Sequence, residues 1–294
     1  MEAHDGYYLY ATGPARDGLQ IPVYHSKDGE RWRYVSGAVV PAATPEAWNY
    51  KNFWAPEVYA WNGRYYLYYT ASPGTTPAND GNRVGLAIAH SPAGPFVDHG
   101  PVIAHGSLDG SVIELPNGER YMSYALELRN GTGLGEGVIV IDRMISPAQM
   151  AGKPTVILNK HGWQEAPNIV QRGDKFFMFY AQGAWRKPEY STRVAVASSP
   201  LGPFTELPES PVLITGPNTQ GPGHGHYLRT RAGRELFYYH AWDAGMQRRS
   251  PRVAEVQWSA DGVRLLPQPT APDPYCCQLA RGAVFTASYP ALAR

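Results

Sequence analysis

Gly63-Arg-Tyr-Tyr-Leu-Tyr-Tyr-Thr70 decides the fold, because similar glycine-led aromatic segments recur along the 294-residue chain. The recurring segments are 6–12, 63–70, 118–124, 173–180 and 233–240. Their glycines, at 6, 63, 118, 173 and 233, are 57, 55, 55 and 60 residues apart. A β pattern with this period is typical of propeller blades, which bury their apolar faces only against neighbouring blades. The sequence therefore predicts an all-β fold, a five-bladed β-propeller.

A second apolar strand follows each aromatic segment and ends at a turn. Residues 84–89 run into Ser91-Pro92, and residues 194–197 run into Ser199-Pro200. Short apolar runs separated by Gly and Pro indicate strands, and no helical period of useful length interrupts them. We therefore predict one domain over 1–294, in which 268–294 forms a C-terminal strand or hairpin that completes the first blade.

Charge and hydropathy argue against some classes of partner. The chain has 26 basic and 25 acidic residues and a net charge of +1. Without a basic stripe, we expect no nucleic-acid partner, and without about 18 consecutive apolar residues we expect no membrane span.

The first residues lack the layout of a signal peptide, which favours a cytoplasmic protein, although a protein whose leader had been removed would look the same. The two cysteines, Cys276 and Cys277, are adjacent and predict no disulfide framework.

The segment that precedes each aromatic strand differs between blades, and these leaders contain the candidate chemistry. Asp109, Glu165 and His224 lie nine, eight and nine residues before the glycines at 118, 173 and 233. Such offsets place the three side chains at one depth around the propeller axis. An isolated Asp before a hairpin is often a turn residue, but two carboxylates and a histidine together predict a catalytic centre.

At these residues the chain resembles glycoside hydrolase family 43, whose five-bladed propeller enzymes act on arabinose- and xylose-containing polysaccharides. The resemblance covers roughly residues 6–266. The matching stretches are 7–12, Trp54-Ala55-Pro56-Glu57-Val58, Asp109 with Asn117-Gly118, Glu165-Ala166-Pro167, Gly221-Pro222-Gly223-His224 and Tyr239-His240-Ala241-Trp242-Asp243. The resemblance implies an inverting glycosidase with a general acid, a general base and a third carboxylate that tunes the acid.

Carried over by motif, Glu165 is the implied acid and Asp109 the residue that tunes its pKa. A carboxylate near Glu165 disfavours ionisation of that side chain and keeps it protonated near neutral pH. His224 matches the axial histidine that in this family often lies beside a bound calcium or a water cluster. Calcium is therefore a candidate cofactor and His224 a candidate ligand, although calcium prefers oxygen ligands and a hydrogen-bonded core role is equally compatible. His226 is an alternative for any axial role.

Other candidates surround the predicted substrate pocket. Trp54 is expected to stack on a sugar as a pocket wall, and core packing explains it equally well. Arg249, or its neighbour Arg248, matches the place where the family often has an arginine that hydrogen-bonds sugar hydroxyls, and a solvated basic loop is the competing explanation. Glu57 matches a family position that is more often a structural or subsite residue than a catalyst.

The general base is where the sequence departs from the family pattern. The family has this base in an Asp-Pro motif about nine residues before the first aromatic strand, which here falls before Met1. Asp273-Pro274 provides a candidate, because Asp273 lies nine residues before Gly282. We hypothesise that the first strand comes from the C-terminus, as in a circular permutation, which would also cover a sheet edge. An ordinary tail is the competing explanation, in which 282–288 packs outside the blade or pairs with another chain.

Three functional hypotheses follow. The first is an inverting glycosidase on arabinose- or xylose-containing saccharides, and 239–243 followed by Arg248-Arg249 favours an α-L-arabinofuranosidase over a β-xylosidase. The second is a carbohydrate-binding propeller without a general base. The third is a chain that folds poorly because its first blade lacks a strand. The sequence leaves a monomer and a strand-swapped dimer both open.

Overall fold

The computed structural model describes residues 1–77, 80–259 and 262–268. The regular secondary structure of these residues consists of β-strands. These strands form five antiparallel sheets, numbered here as blades 1–5 in chain order. The predicted five-bladed β-propeller is confirmed. Residues 269–294, which include Asp273 and most of the predicted C-terminal strand, lie outside the described residues.

Blades 1 and 2 each contain four strands that pair in chain order. Blade 1 consists of β1 (Glu2–Ala3), β2 (Gly6–Tyr10), β3 (Gln20–Ser26) and β4 (Arg33–Val39). Blade 2 consists of β5 (Lys51–Trp61), β6 (Arg64–Ser72), β7 (Arg83–Ala89) and β8 (Val97–Pro101). In each blade the first strand is the innermost one, and the predicted aromatic segment is the second.

Blades 3, 4 and 5 follow the same plan, and blade 3 has one additional strand. Blade 3 consists of β9 (Ser107–Glu114), β10 (Arg120–Leu126), β11 (Ile139–Ser146), β12 (Gln149–Met150) and β13 (Thr155–Leu158). Blade 4 consists of β14 (Gln164–Arg172), β15 (Lys175–Gln182), β16 (Ser191–Ala197) and β17 (Thr205–Glu206). Blade 5 consists of β18 (Gln220–Arg229), β19 (Glu235–Trp242), β20 (Arg249–Trp258) and β21 (Val263–Pro267).

The aromatic strands explain how the blades pack. Because successive side chains of a strand point to opposite faces, β6 buries Leu67 and Tyr69 against blade 1 and Tyr68 against blade 3. Phe179 of β15 packs likewise against Phe237 of β19, with their ring centroids 4.8 Å apart. The core is therefore a series of layers between blades, since no single blade encloses apolar volume of its own.

Contacts between the first and last blades close the ring. Tyr238 donates a hydrogen bond to the carbonyl oxygen of Gly29 at 2.7 Å, and Arg231 donates one to the carbonyl oxygen of Ala3 at 2.6 Å. The innermost strand of blade 1, β1, has 2 residues, whereas the innermost strands of the other blades have 11, 8, 9 and 10. Among the described residues, blades 2–5 consequently provide most of the inner wall around the axis.

Candidate active site

A bulge with an unusual backbone conformation interrupts the innermost strand of each of blades 2–5. The residue at the bulge has a positive φ in every case, 48° at Ala55, 61° at Asp109, 55° at Ala166 and 48° at His224. The strand register shifts at the same places. Non-glycine residues rarely adopt this conformation, and bulges re-aim side chains next to active sites.

Three of the four bulges are tied to the preceding blade by the backbone amide of the bulge residue. Ala55 donates its N–H to the hydroxyl of Thr12 at 3.1 Å, and Asp109 donates its N–H to the hydroxyl of Thr70 at 3.2 Å. The N–H of Ala166 instead bonds to the Asp109 carboxylate at 3.0 Å. The Asp109 side chain therefore occupies, between blades 3 and 4, the role that a threonine hydroxyl has between the earlier blades.

All four bulge residues line one cavity of about 250 Å³ at the centre of the ring. Its wall also includes Thr12, Glu57, His240 and Arg249. A larger concavity of about 500 Å³ lies on the outer side of blade 3, and none of the leader residues predicted to be catalytic lines it. Because convergent polar groups and ionisable side chains mark binding sites more reliably than volume, the central cavity is the candidate active site.

The structure brings Glu165 to the same place, although from a different position relative to the bulge. Glu165 lies one residue before the bulge of its strand, whereas Asp109 and His224 are themselves the bulge residues. Oxygen or nitrogen atoms of all three side chains lie within 4.8 Å of one another. The predicted convergence of the three groups is thus present in the geometry.

Two side chains that the sequence analysis assigned no role hold the Glu165 carboxylate. The indole N–H of Trp163 donates to Glu165 at 2.7 Å, and the hydroxyl of Tyr190 donates at 2.5 Å. Trp163 is near Glu165 in sequence, so its aromatic ring could have been a signal. Tyr190 is fully buried and comes from the connection between β15 and β16, which no local pattern links to Glu165.

Burial and neighbouring negative charges raise the pKa values of Glu165 and Asp109. Burial, with a further contribution from the Asp109 charge, raises the pKa of Glu165 to about 6. Burial also raises the pKa of Asp109 to about 7, assisted by the charge of Glu127, while the hydrogen bond from Ala166 lowers it. The two carboxyls titrate as a pair that keeps a proton up to near neutral pH, which a general acid requires.

His224 faces these carboxyls from blade 5. Its Nδ1 atom lies 3.6 Å from a carboxylate oxygen of Asp109, and burial lowers the pKa of the ring to about 4. The imidazole is therefore neutral at pH 7. His240 stacks on Tyr190 with centroids 5.8 Å apart, and its buried Nδ1 atom has no hydrogen-bond partner within the described residues.

The donor set around His224 does not match the preference of calcium. Calcium takes about six to eight oxygen ligands, whereas the cluster provides two carboxyl groups and one imidazole nitrogen. The carboxyl of Glu165 already accepts two hydrogen bonds and that of Asp109 accepts one. The residues at this cluster therefore fit calcium poorly, and a calcium at His224 stays a prediction that metal analysis of the purified protein would test.

The remaining sequence candidates separate into those at the cavity and those away from it. Arg249 lines the cavity, whereas Arg248 and Trp54 are not among its lining residues. Trp54 is only half-buried and lies in β5 opposite Thr70 of β6.

Glu57 and His226 form a second polar group on the cavity wall. A Glu57 oxygen lies 3.4 Å from Nδ1 of His226, and Asn168 contacts the same nitrogen at 3.1 Å. The other Glu57 oxygen accepts the N–H of Val112 at 2.8 Å. These bonds suit Glu57 to a structural role or to contact with bound sugar, in line with its predicted place.

The sequence as a whole matches one family. The family model described as glycosyl hydrolases family 43 matches residues 1–264. The chain belongs to this family. The predicted family resemblance is thereby confirmed over nearly all of the described chain.

Two relatives of this family-43 chain are named as arabinan-degrading enzymes. It is 25% identical over 309 residues to an extracellular exo-α-(1→5)-L-arabinofuranosidase of Cellvibrio japonicus, covering 88% of this chain and 82% of that protein. It is 26% identical over 271 residues to a probable arabinan endo-1,5-α-L-arabinosidase C of Neosartorya fischeri, covering 81% and 78%. Among solved structures, that of a thermostable family-43 glycoside hydrolase superposes with a TM-score of 0.80 at 24% identity, covering 93% of both chains.

Proposed function

We propose that this protein is an inverting glycosidase that releases α-L-arabinofuranosyl groups from arabinose-containing saccharides. The observation that carries the proposal is the position of the Glu165 carboxyl beside Asp109, which lines the central cavity. Burial raises the pKa of Glu165 to about 6. The arabinan-degrading activities for which two relatives are named support the choice of sugar.

Glu165 is suited to act as the general acid. In its protonated form it donates to the oxygen of the departing sugar as the glycosidic bond breaks. Trp163 and Tyr190 fix the carboxyl through two hydrogen bonds, so that little reorganisation is needed when the proton moves.

Asp109 is too close to Glu165 to be the general base. The two side chains lie within 4.8 Å, whereas acid and base of an inverting glycosidase are about 6.5–9.5 Å apart to leave room for water. Its proximity suits Asp109 to the tuning role, because a negative charge on Asp109 raises the pKa of Glu165.

We propose Asp273 as the general base, and the order of strands supports this. The chain passes from the last strand of each of blades 1–4 to the innermost strand of the next through 40–50, 102–106, 159–163 and 207–219, which are 5 to 13 residues long. Asp273 follows the end of β21, at Pro267, by six residues. By the same rule, we expect the chain after β21 to reach the inner side of blade 1.

The test is hydrolysis of an aryl α-L-arabinofuranoside and an aryl β-D-xyloside by wild type, Asp273→Asn and Asp174→Asn. Asp174→Asn is a matched control, because Asp174 is an exposed residue in the turn between β14 and β15. We expect wild type and the control to cleave the arabinofuranoside faster, with the anomeric configuration inverted by NMR. Loss of a catalytic proton transfer costs about 10²–10⁴-fold, which we expect for Asp273→Asn.

Two other outcomes would contradict separate parts of the proposal. Wild-type activity in Asp273→Asn would remove Asp273 as the base and leave the glycosidase proposal standing. No turnover by wild type on these glycosides, on arabinan or on xylan would contradict the glycosidase. Sugar binding without turnover would then favour a carbohydrate-binding propeller, the candidate favoured by the two-residue β1 of blade 1.

A further inference from the structure

Two tryptophans from neighbouring blades stack beside the central cavity. Trp185 lies in the connection between β15 and β16, and Trp242 ends β19. Their ring centroids are 5.7 Å apart and the planes are tilted by 12°. The indole N–H of Trp242 also donates to the carbonyl oxygen of Trp185 at 2.9 Å. The pair therefore joins a connecting segment of blade 4 to the edge of blade 5.

The guanidinium of Arg249 lies against this pair. Its central carbon is 4.5 Å from the ring centroid of Trp185 and 5.9 Å from that of Trp242. Arg249 lines the cavity, whereas neither tryptophan is among the lining residues. Burial lowers the pKa of Arg249 only to about 10, so the group stays cationic at neutral pH. An arginine over an aromatic face is favoured electrostatically, most when water is excluded.

The same tryptophan also adjoins the structure that holds the acid. Trp185 packs against the cluster formed by Ala166, Ala181 and Tyr190. Tyr190 donates the hydrogen bond to Glu165, and Ala166 follows Glu165 in the chain. Trp185 thus contacts both the arginine and the residues around the acid, but the hydrogen bonds that hold Glu165 come from Trp163 and Tyr190.

We propose that Trp185 and Trp242 are positioning residues that hold Arg249 at the cavity wall, where its planar donors bind neighbouring hydroxyls of the sugar. The inference rests on the proposed function and extends it to the recognition of the substrate. A long arginine side chain loses much rotamer freedom on binding, and a preformed stack removes that cost before the sugar arrives. The tryptophans should consequently affect binding more than the chemical step.

The test compares Trp185→Leu and Trp185→Phe with wild type and with Trp61→Leu. Trp61 is a matched control, because the Arg120 guanidinium lies 4.8 Å from its ring and Trp61 is not among the cavity residues. We expect Trp185→Leu to raise KM about 5- to 30-fold with kcat within about twofold, the range of a lost cation–π contact. Trp185→Phe keeps an aromatic face and should recover most of this loss, and Trp61→Leu should keep the wild-type KM.

KM reports affinity only when chemistry is slow, so Kd needs a separate measurement. Calorimetry with an arabino-oligosaccharide, on variants that also carry Glu165→Gln, measures Kd directly. A parallel weakening of Kd in Trp185→Leu would support the proposal. An unchanged Kd, or equal losses of kcat in the Leu and Phe variants with a lowered Tm, would overturn it. Failure of the proposed function is distinguishable, because it would be absence of turnover by the wild type itself.

Discussion

β5 and β9 have the same bulge at the same place, yet only one of them presents a reactive group. Ala55 and Asp109 have φ values of 48° and 61°, and each donates its N–H to a threonine of the preceding blade. The side chain is the difference, a methyl group on β5 and a carboxylate on β9. The repeat therefore supplies the backbone geometry of the site, and single substitutions within the repeat supply its chemistry.

Removal of the β9 carboxylate should have the largest effect. We expect Asp109→Asn to lower kcat about 10²-fold, because Glu165 ionises more easily without a charged neighbour. The alkaline limb of the kcat/KM profile should also move to lower pH. Glu114→Gln is the control, since Glu114 ends the same strand and pairs with Arg120 at 2.9 Å. An unchanged alkaline limb in Asp109→Asn would contradict the tuning role.

A steric change in β18 should disturb Glu165 from the other side. A Cβ atom on Gly223 would lie 2.1 Å from a ring atom of Tyr190, the residue that hydrogen-bonds Glu165. Overpacking of this kind costs about 1–3 kcal/mol, and we expect Gly223→Ala to lower kcat about tenfold. Gly85→Ala makes a similar clash with Trp48 outside the cavity. It should lower Tm and leave the specific activity of the folded protein unchanged. Equal losses of activity in both variants would contradict the role of Tyr190.

The charge of Glu165 should be visible in stability. A carboxyl with a higher pKa in the folded state binds its proton more tightly when folded, so the free energy of unfolding falls as pH rises through that interval. The pKa of Glu165 is about 6 in the folded protein against an ordinary 4.5. Glu165→Gln should therefore gain up to about 2 kcal/mol relative to wild type between pH 4 and pH 8. Denaturant titrations at both pH values measure this gain, and a difference independent of pH would contradict the raised pKa.

Removal of the threonine hydroxyls that hold the two bulges should have the smallest effect. Thr70→Val removes the acceptor for the Asp109 N–H, and Thr12→Val removes the matching acceptor for Ala55. Each should cost about 1 kcal/mol of stability. Only Thr70→Val should in addition displace a catalytic carboxylate, with kcat lowered a few-fold and recovered in Thr70→Ser. A normal pH–rate profile and kcat in Thr70→Val would show that the bulge needs no such support.

The fold could be predicted because its cause is periodic and local. Alternating aromatic residues such as those in 63–70 can bury both faces only between two neighbouring blades, and the glycine spacing counts the blades. The convergence of Asp109, Glu165 and His224 followed from the same count. In the described part of the chain, no helix has the length and hydropathy needed to cross a bilayer.

The details that tune the site could not be predicted, because they depend on contacts distant in sequence. A positive φ at Ala55 or Ala166 has no signal in the residue type, since alanine disfavours that conformation. Tyr190 reaches Glu165 across 25 residues, and Trp242 reaches Trp185 across 57. The first pair meets within blade 4, whereas the packing of blade 4 against blade 5 brings the two tryptophans together.

The most direct test of Glu165 as the general acid is the dependence of Glu165→Gln on the leaving group. Proton donation matters for a sugar leaving group and little for dinitrophenolate, which departs without a proton. We expect Glu165→Gln to lose about 10²–10⁴-fold on an arabino-oligosaccharide, while its activity on the dinitrophenyl arabinofuranoside stays within about tenfold of wild type. Equal losses on both substrates, or no loss on the oligosaccharide, would contradict the assignment of Glu165 as the acid.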